Sequence, residues 1–137
     1  MNSLPVGWIN NELRTVLEKI IDYRGQSVPK ADKGVPLVTA RNVKKGYLDF
    51  LSKEYVDEDL YSVWMSRGIP ISTDILFTTE APLGNACRYP NGAKYAIGQR
   101  IVCLRAKKNI LDSDYLLYFL LSDHCSGLIE TDTSIGG

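Results

Sequence analysis

The apolar residues of this chain occur in short runs separated by residues that form turns. The longest unbroken apolar run is the seven residues 115–121, whereas a helix that crosses a bilayer needs about 20. Residues 75–79 form the clearest predicted strand, and turn signals follow at Pro82-Leu83-Gly84 and Pro90-Asn91-Gly92. Short strands joined by turns predict a hairpin-rich, mostly antiparallel sheet. Residues 1–11 lack the features of a signal peptide, which predicts a cytoplasmic protein with no membrane partner.

Helices are predicted on either side of this sheet. From Leu13 to Ile21 the apolar residues recur with the spacing of one helix face, which predicts a helix capped by Asn10 or Asn11. Other predicted elements are helices at 57–65 and 114–122, the latter capped by Asp112 or Ser113, and strands at 35–39, 47–50 and 100–105. The last helix is apolar nearly all round, so we expect it to be buried. The 137 residues predict one α+β domain over residues 1–137, with a mostly antiparallel, hairpin-rich sheet flanked by helices.

Residue types that commonly carry catalysis are sparse in this sequence. Cys87, Cys103 and Cys125 show no C-x-x-C spacing, which predicts reduced, buried thiols rather than a disulfide framework or a zinc site. The single histidine, His124, adjoins Cys125, and neighbouring residues of a helix cannot both face one reacting atom. The sequence contains neither a phosphate-binding loop nor a dinucleotide-binding glycine motif. The pattern favours binding over catalysis, with no catalytic or metal-binding residue assigned.

Charge is distributed unevenly along the chain, although 16 basic and 16 acidic residues cancel overall. Residues 14–46 carry eight Lys or Arg against three acids, and residues 81–108 carry six basic residues and no acid. Residues 47–62 carry five acids against one Lys, and the chain from residue 109 onward carries five acids and no base. A fold that brings the two basic stretches onto one face would attract phosphate there. The alternative is ordinary solvated charge.

Three segments together resemble one protein family. They are Asp22-Tyr23-Arg24-Gly25 leading to Val35-Pro36-Leu37-Val38-Thr39-Ala40-Arg41-Asn42-Val43, then Arg67-Gly68-Ile69-Pro70, and finally Asp74-Ile75-Leu76-Phe77-Thr78-Thr79-Glu80-Ala81-Pro82-Leu83-Gly84-Asn85. With Gly98-Gln99-Arg100 downstream, their order and spacing resemble the target recognition domain of a type I restriction–modification specificity subunit. The resemblance runs from about Trp8 to the end of the chain. The sequence departs from the family pattern at Thr73 and Asp132, where the family usually has Gly.

The resemblance implies a non-catalytic component that reads one half of a bipartite site in double-stranded DNA. A full subunit of this kind has two recognition domains separated by long helices, which dock two methyltransferase (modification) subunits. The cofactors S-adenosylmethionine, ATP and Mg²⁺ would belong to those subunits and to the separate restriction and translocase subunit, and none to this chain. We therefore expect half of a specificity subunit without its spacer helices.

The resemblance also suggests which residues contact DNA. Lys and Arg usually contact phosphates, whereas Asn, Gln, Arg and Glu reach base edges. Arg41, Lys44 and Lys45 are candidate phosphate or guanine contacts and Asn42 is a candidate adenine reader, unless this loop is a plain hairpin turn. The other candidates are Arg24 and Lys30 for the DNA backbone, and Thr79 and Glu80 at the end of the central strand, where Glu80 could accept from a cytosine amine. Gln99 and Arg100 could read a base, unless Gln99 only caps a strand. Residues that define the family motif, such as Leu76, Phe77, Pro82 and Gly84, are expected to form the scaffold.

Two other functions stay open at this point. An orphan half-subunit could act as a protein-interaction module for the methyltransferase subunit without reading DNA. A small hydrolase could use Cys125 or Cys87.

Overall fold

The computed structural model describes residues 15–24, 27–50, 53–80 and 82–122. Within these ranges it contains strands β1 (Leu17–Asp22), β2 (Lys30–Ala31), β3 (Val35–Val38), β4 (Glu54–Val56), β5 (Ile75–Thr79), β6 (Leu83–Arg88), β7 (Ala96–Ile97) and β8 (Ile101–Ala106). The helices are α1 (Tyr61–Trp64) and α2 (Ser113–Leu120), with 3₁₀ turns at Ala40–Asn42 and Glu58–Leu60.

The strands form two sheets of four strands each. The first has the order β1-β8-β5-β6 and is antiparallel throughout. The second has the order β2-β4-β3-β7, in which β3 and β7 are parallel and the other pairs antiparallel. The predicted α+β class with mostly antiparallel pairing is confirmed, although the strands divide between two sheets.

Both faces of the first sheet are buried. Successive side chains of β5 point to opposite faces of the sheet, and each set packs into a different hydrophobic cluster. Leu76 packs into the cluster between the two sheets, together with Cys87 and Cys103 from the neighbouring strands. Ile75 and Phe77 pack into a second cluster, which α2 covers. All three β5 side chains are fully buried, so the prediction that Leu76 and Phe77 belong to the scaffold is confirmed.

The segment at residues 17–22 is a strand, and the prediction of a helix there was wrong. It pairs with β8, and a β-bulge interrupts the register between Leu17 and Lys19. The bulge places Leu17 and Ile20 on the side of α2, while Ile21 faces the cluster between the sheets. A bulged strand therefore reproduces the apolar spacing of a helix. Residues 10–14 of that prediction lie outside the described residues, and residues 15 and 16 are helical.

Two smaller predictions about strands also need correction. Residues 47–50 were predicted to form a strand, but that region has one isolated bridge, Val43↔Leu48, and the strand lies at β4. Leu83 and Gly84 belong to β6 rather than to a turn. The turn at residues 90–92 is confirmed by the Ala93 N–H, which donates to the Pro90 carbonyl at 3.3 Å.

The last helix has the predicted start but only one buried face. The Asp112 carboxylate accepts hydrogen bonds from the backbone N–H of Asp114 at 2.7 Å and of Tyr115 at 3.3 Å, which makes it the N-cap. Leucines 116, 117 and 120 pack on the first sheet. Tyr115 and Tyr118 are 64% and 70% exposed, so the predicted burial on all sides was wrong. The predicted helix at 57–65 is confirmed as the 3₁₀ turn at Glu58–Leu60 followed by α1.

No helix among the described residues is long and apolar enough to span a membrane.

Candidate nucleic-acid interface

A groove of about 730 Å³ lies at one edge of the second sheet. Its walls come from five short segments: residues 27, 28 and 30, residue 37, residues 39–41, residues 53–54 and residues 98–100. Four of the ten predicted DNA contacts line it: Lys30, Arg41, Gln99 and Arg100. The structure thus brings together residues that are far apart in the sequence.

Strand pairing explains this convergence. Because β3 and β7 run parallel, with Leu37 beside Ala96 and Val38 beside Ile97, the segments that follow each strand emerge at the same edge of the sheet. The Gly98 N–H donates to the Val38 carbonyl at 2.8 Å and closes this junction. β4 is antiparallel to β3, with Glu54 opposite Leu37, so the start of β4 reaches the same edge. Arg41, Lys53 and Arg100 are therefore carried to one groove by backbone pairing.

Four cationic side chains line this groove, and two of them are paired with carboxylates. Lys30 Nζ lies 2.6 Å from Glu54 Oε1, and Arg100 Nε lies 3.5 Å from Glu80 Oε1. Arg41 and Lys53 have no carboxylate within ion-pair distance among the described residues. All four side chains contact solvent, so they can reach an anionic ligand without unfolding any element.

Gln99 and Arg100 occupy the turn before β8, and Thr79 holds that turn in place. The Thr79 N–H and hydroxyl donate to the Arg100 carbonyl at 2.9 and 3.1 Å. Thr79 is only 8% exposed, so in this structure it positions the turn, and its role as a DNA contact stays a prediction. Glu80 is exposed beside Arg100. Gln99 is exposed in the groove and presents both a donor and an acceptor.

Asn42, the candidate adenine reader, is buried within the loop, and that candidate role stays a prediction. It is 2% exposed. Its side-chain oxygen accepts from the Thr39 N–H at 2.8 Å, and its amide nitrogen donates to the Asp49 carbonyl at 2.8 Å. A side chain engaged in this way determines the shape of the loop that carries Arg41.

Lys44 and Lys45 lie beyond the groove, on a loop fixed against β6. The Gly46 N–H donates to the Ala86 carbonyl at 2.8 Å, and the Asn85 side chain donates to the Val43 carbonyl at 3.0 Å. Lys45 is exposed and Lys44 partly so. These lysines can extend a basic surface from Arg41, although they do not line the groove.

Arg24 lies outside the groove. Its guanidinium forms an ion pair with Asp22, with Nε donating to Oδ2 at 2.7 Å. Arg67 donates to the carbonyls of Asp22 and Arg24 at 2.7 and 2.5 Å. These contacts fix the segment that follows β1, and nothing in them brings Arg24 to the other candidates.

Lys53 and Glu54 were not among the predicted site residues. They lie in the acidic stretch 47–62, where Lys53 is the single base, so a charge count along the chain conceals them. These two residues reach the groove only because β4 pairs with β3. Nothing in the sequence marks those two segments as pairing partners. A correct prediction of β4 would have been the signal.

The family-like motif at residues 74–85 forms the scaffold behind this surface. Thr78 accepts a hydrogen bond from the Asn85 N–H at 2.8 Å, which ties β5 to β6. Asp74 is fully buried and accepts from Arg105 Nε at 2.7 Å and Nη2 at 2.9 Å. The hydrogen bond to Asp74 raises the pKa of Arg105, so the guanidinium stays charged.

The described thiols do not have the properties of a nucleophile. Cys87 and Cys103 are buried, as predicted, and burial raises the pKa of Cys87 to about 12 and also raises that of Cys103. Both thiols are therefore protonated at neutral pH and out of reach of solvent, which argues against a hydrolase that uses Cys87. Cys125 and His124 lie outside the described residues. The described part of the chain contains no group of three His, Cys, Asp or Glu side chains that could hold a metal ion.

The sequence and the fold both resemble type I restriction specificity subunits, which confirms the resemblance found in the motifs. The chain is 27% identical, over 124 residues, to a protein of Methanocaldococcus jannaschii named "Putative type I restriction enzyme MjaX specificity subunit". That match covers 88% of this chain and 29% of the relative. No family model matches the chain.

A solved structure shows the same fold. The HsdS subunit from Thermoanaerobacter tengcongensis superposes with a TM-score of 0.53 at 18% identity, over 78% of this chain and 25% of that subunit. The chain thus spans between a quarter and a third of the length of the proteins it matches.

Proposed function

We propose that this chain is a target recognition domain that reads one half of a bipartite site in double-stranded DNA. The observation that carries the proposal is the convergence of Lys30, Arg41, Lys53 and Arg100 with Gln99 in one groove. It occurs on a fold similar to that of a solved specificity subunit. In the bound state the cations contact phosphates and set the register, while Gln99 reaches a base edge, adenine being the base that Gln recognises through two hydrogen bonds.

The domain acts through partner subunits rather than through chemistry of its own. In the proposed complex it directs methyltransferase subunits and a restriction and translocase subunit to the site, in the cytoplasm. Adenine methylation with S-adenosylmethionine, and cleavage with ATP and Mg²⁺, belong to those subunits. One domain alone should bind mixed-sequence DNA with a Kd of about 10⁻⁴–10⁻⁶ M at physiological salt. Joining two domains across a split site raises the effective concentration and thereby the useful specificity.

Salt-dependent binding tests the proposal. The 137-residue chain is titrated into a mixed-sequence duplex at several salt concentrations, and log Kobs is plotted against log salt. Up to four phosphate contacts from the groove predict a slope of about −2 to −4. The double variant Arg41→Ala, Lys53→Ala should flatten the slope by about two units, because it removes the two groove cations that have no carboxylate partner within the described ranges.

A matched double variant serves as the control. Lys107→Ala, Lys108→Ala removes two exposed cations that do not line the groove, so its slope should stay close to that of the wild-type chain. Equal flattening by the two double variants would mean that charge acts without regard to position, and the groove would not be the interface. Undetectable binding of the wild-type chain at low salt would overturn DNA reading and favour the protein-interaction module.

A further inference from the structure

The groove contains one carboxylate among its cations. Glu54 lines the wall, and its Oε1 atom lies 2.6 Å from Lys30 Nζ. No other acidic residue of the described ranges lines this groove. A carboxylate in that place repels phosphate and neutralises one of the cations that would bind it, so it opposes indiscriminate binding to DNA.

The backbone holds Glu54 rigidly at this position. β4 lies between two partners: β3, where Leu37 is opposite Glu54, and β2, where Ala31 is opposite Tyr55 and Lys30 opposite Val56. The Lys30–Glu54 ion pair therefore joins neighbouring strands of one sheet. Glu80 differs because it is an exposed residue beyond the end of β5, does not line the groove, and is 3.5 Å from its arginine.

Stability does not account for this ion pair. The side chains of Lys30 and Glu54 are 57% and 36% exposed, and ion pairs this accessible to solvent contribute little to folding. The pair can open at small cost once a phosphate binds Lys30. The Glu54 carboxylate is then available as an acceptor at the wall of the groove. Gln99 is the other side chain of the groove to which we assign contact with a base edge.

We infer that Glu54 is a specificity-determining residue whose carboxylate accepts a hydrogen bond from the exocyclic amine of a cytosine. Among base edges of the major groove, the cytosine N4 amine is the donor that Glu recognises. The inference rests on the proposed function. Binding exchanges the Lys30–Glu54 ion pair for a Lys30–phosphate contact and a Glu54–cytosine hydrogen bond, so that a site without cytosine at that position leaves the carboxylate unpaired beside the DNA.

Selection from a randomised duplex library tests the inference, with the 137-residue wild-type chain, Glu54→Ala and Glu58→Ala. Glu58 is a matched control because it also forms an exposed ion pair, with Lys94 at 3.0 Å, but lies outside the groove. Wild type and Glu58→Ala should prefer cytosine at one position. In Glu54→Ala the preference for cytosine over the other bases at that position should fall by about fivefold or more. On a mixed-sequence duplex Glu54→Ala should bind more tightly than wild type, because the carboxylate that repels phosphate and pairs with Lys30 is removed.

Each result has a distinct meaning. An unchanged base preference in Glu54→Ala overturns the inference, even if mixed-sequence binding becomes tighter, because Glu54 would then be only the ion-pair partner of Lys30. A wild-type preference that includes no cytosine overturns it as well. A wild-type chain that binds DNA with no base preference, or not at all, defeats the proposed function itself. A fold defect would weaken mixed-sequence binding, which is the opposite of the expected change.

Discussion

At the scale of single residues, Asp74 and Arg105 show that a cation in a basic stretch can belong to the core. Asp74 is fully buried, while the side chain of Arg105 is 16% exposed. The Asp74 carboxylate also accepts a hydrogen bond from the Ile71 N–H at 3.0 Å, which closes the turn that precedes β5. Thr73 lies in this turn, and its φ is not positive. The turn therefore forms without a residue in the left-handed region at this position.

This pair leads to a prediction about stability. Arg105→Ala should lower the free energy of unfolding by about 3 kcal/mol, because it leaves a buried carboxylate without its partner. Arg100→Ala removes an arginine from an exposed pair 3.5 Å long and should cost less than about 1 kcal/mol. Urea denaturation of the two variants measures both values. Equal losses would show that burial of Asp74 does not determine the cost.

Individual residues also show why residue type alone does not define the site. Asn42 and Thr79 have side chains suited to reading bases, yet both are buried and hydrogen-bonded to backbone groups. Residue type alone cannot distinguish an Asn that reads DNA from an Asn that shapes a loop, since the same donor and acceptor serve both roles. Burial decides between them, and burial depends on the whole fold.

At the scale of elements, the predictable ones are those whose own sequence determines them. β5 is apolar, β-branched and buried on both faces, and the start of α2 is marked by the Asp112 cap. β2 and β7 have two residues each, which is too short for any periodicity to be visible. Their pairing partners are distant in sequence, so only tertiary structure defines them. The groove depends on β7, and for that reason its full membership could not be predicted.

The turn between β2 and β3 gives a prediction at this scale. Gly34 has φ +133°, and a Cβ there would lie 2.3 Å from the Val56 carbonyl oxygen. Gly34→Ala should therefore destabilise the protein by about 2 kcal/mol or more, through backbone strain and displacement of β4. Gly92→Ala is the control, because its φ is +75° but a Cβ would have no atom within 4 Å, and it should cost about 1 kcal/mol. Thermal unfolding compares them, and a smaller loss at Gly34 than at Gly92 would contradict the steric argument.

At the scale of the whole molecule, the uneven charge along the chain is only partly reproduced in space. Lys30 and Arg41 come from the first basic stretch and Arg100 from the second, and they meet in the groove. Arg24 and Arg88 come from the same stretches but pair with Asp22 and Asp114 elsewhere. Strand order decides which cations converge. The sequence left open whether a basic surface forms, and the cations that line the groove meet because β3 pairs in parallel with β7.

The most direct measurement is amide NMR of the ¹⁵N-labelled 137-residue chain titrated with a mixed-sequence duplex at low salt. If the groove is the DNA interface, the largest shift changes should fall on its walls, at residues 39–41, 53–54 and 98–100. The exposed face of α2, which carries Tyr115 and Tyr118, should change little. Changes centred on α2, or spread evenly over the surface, would contradict the assignment of this groove as the site where the protein reads DNA.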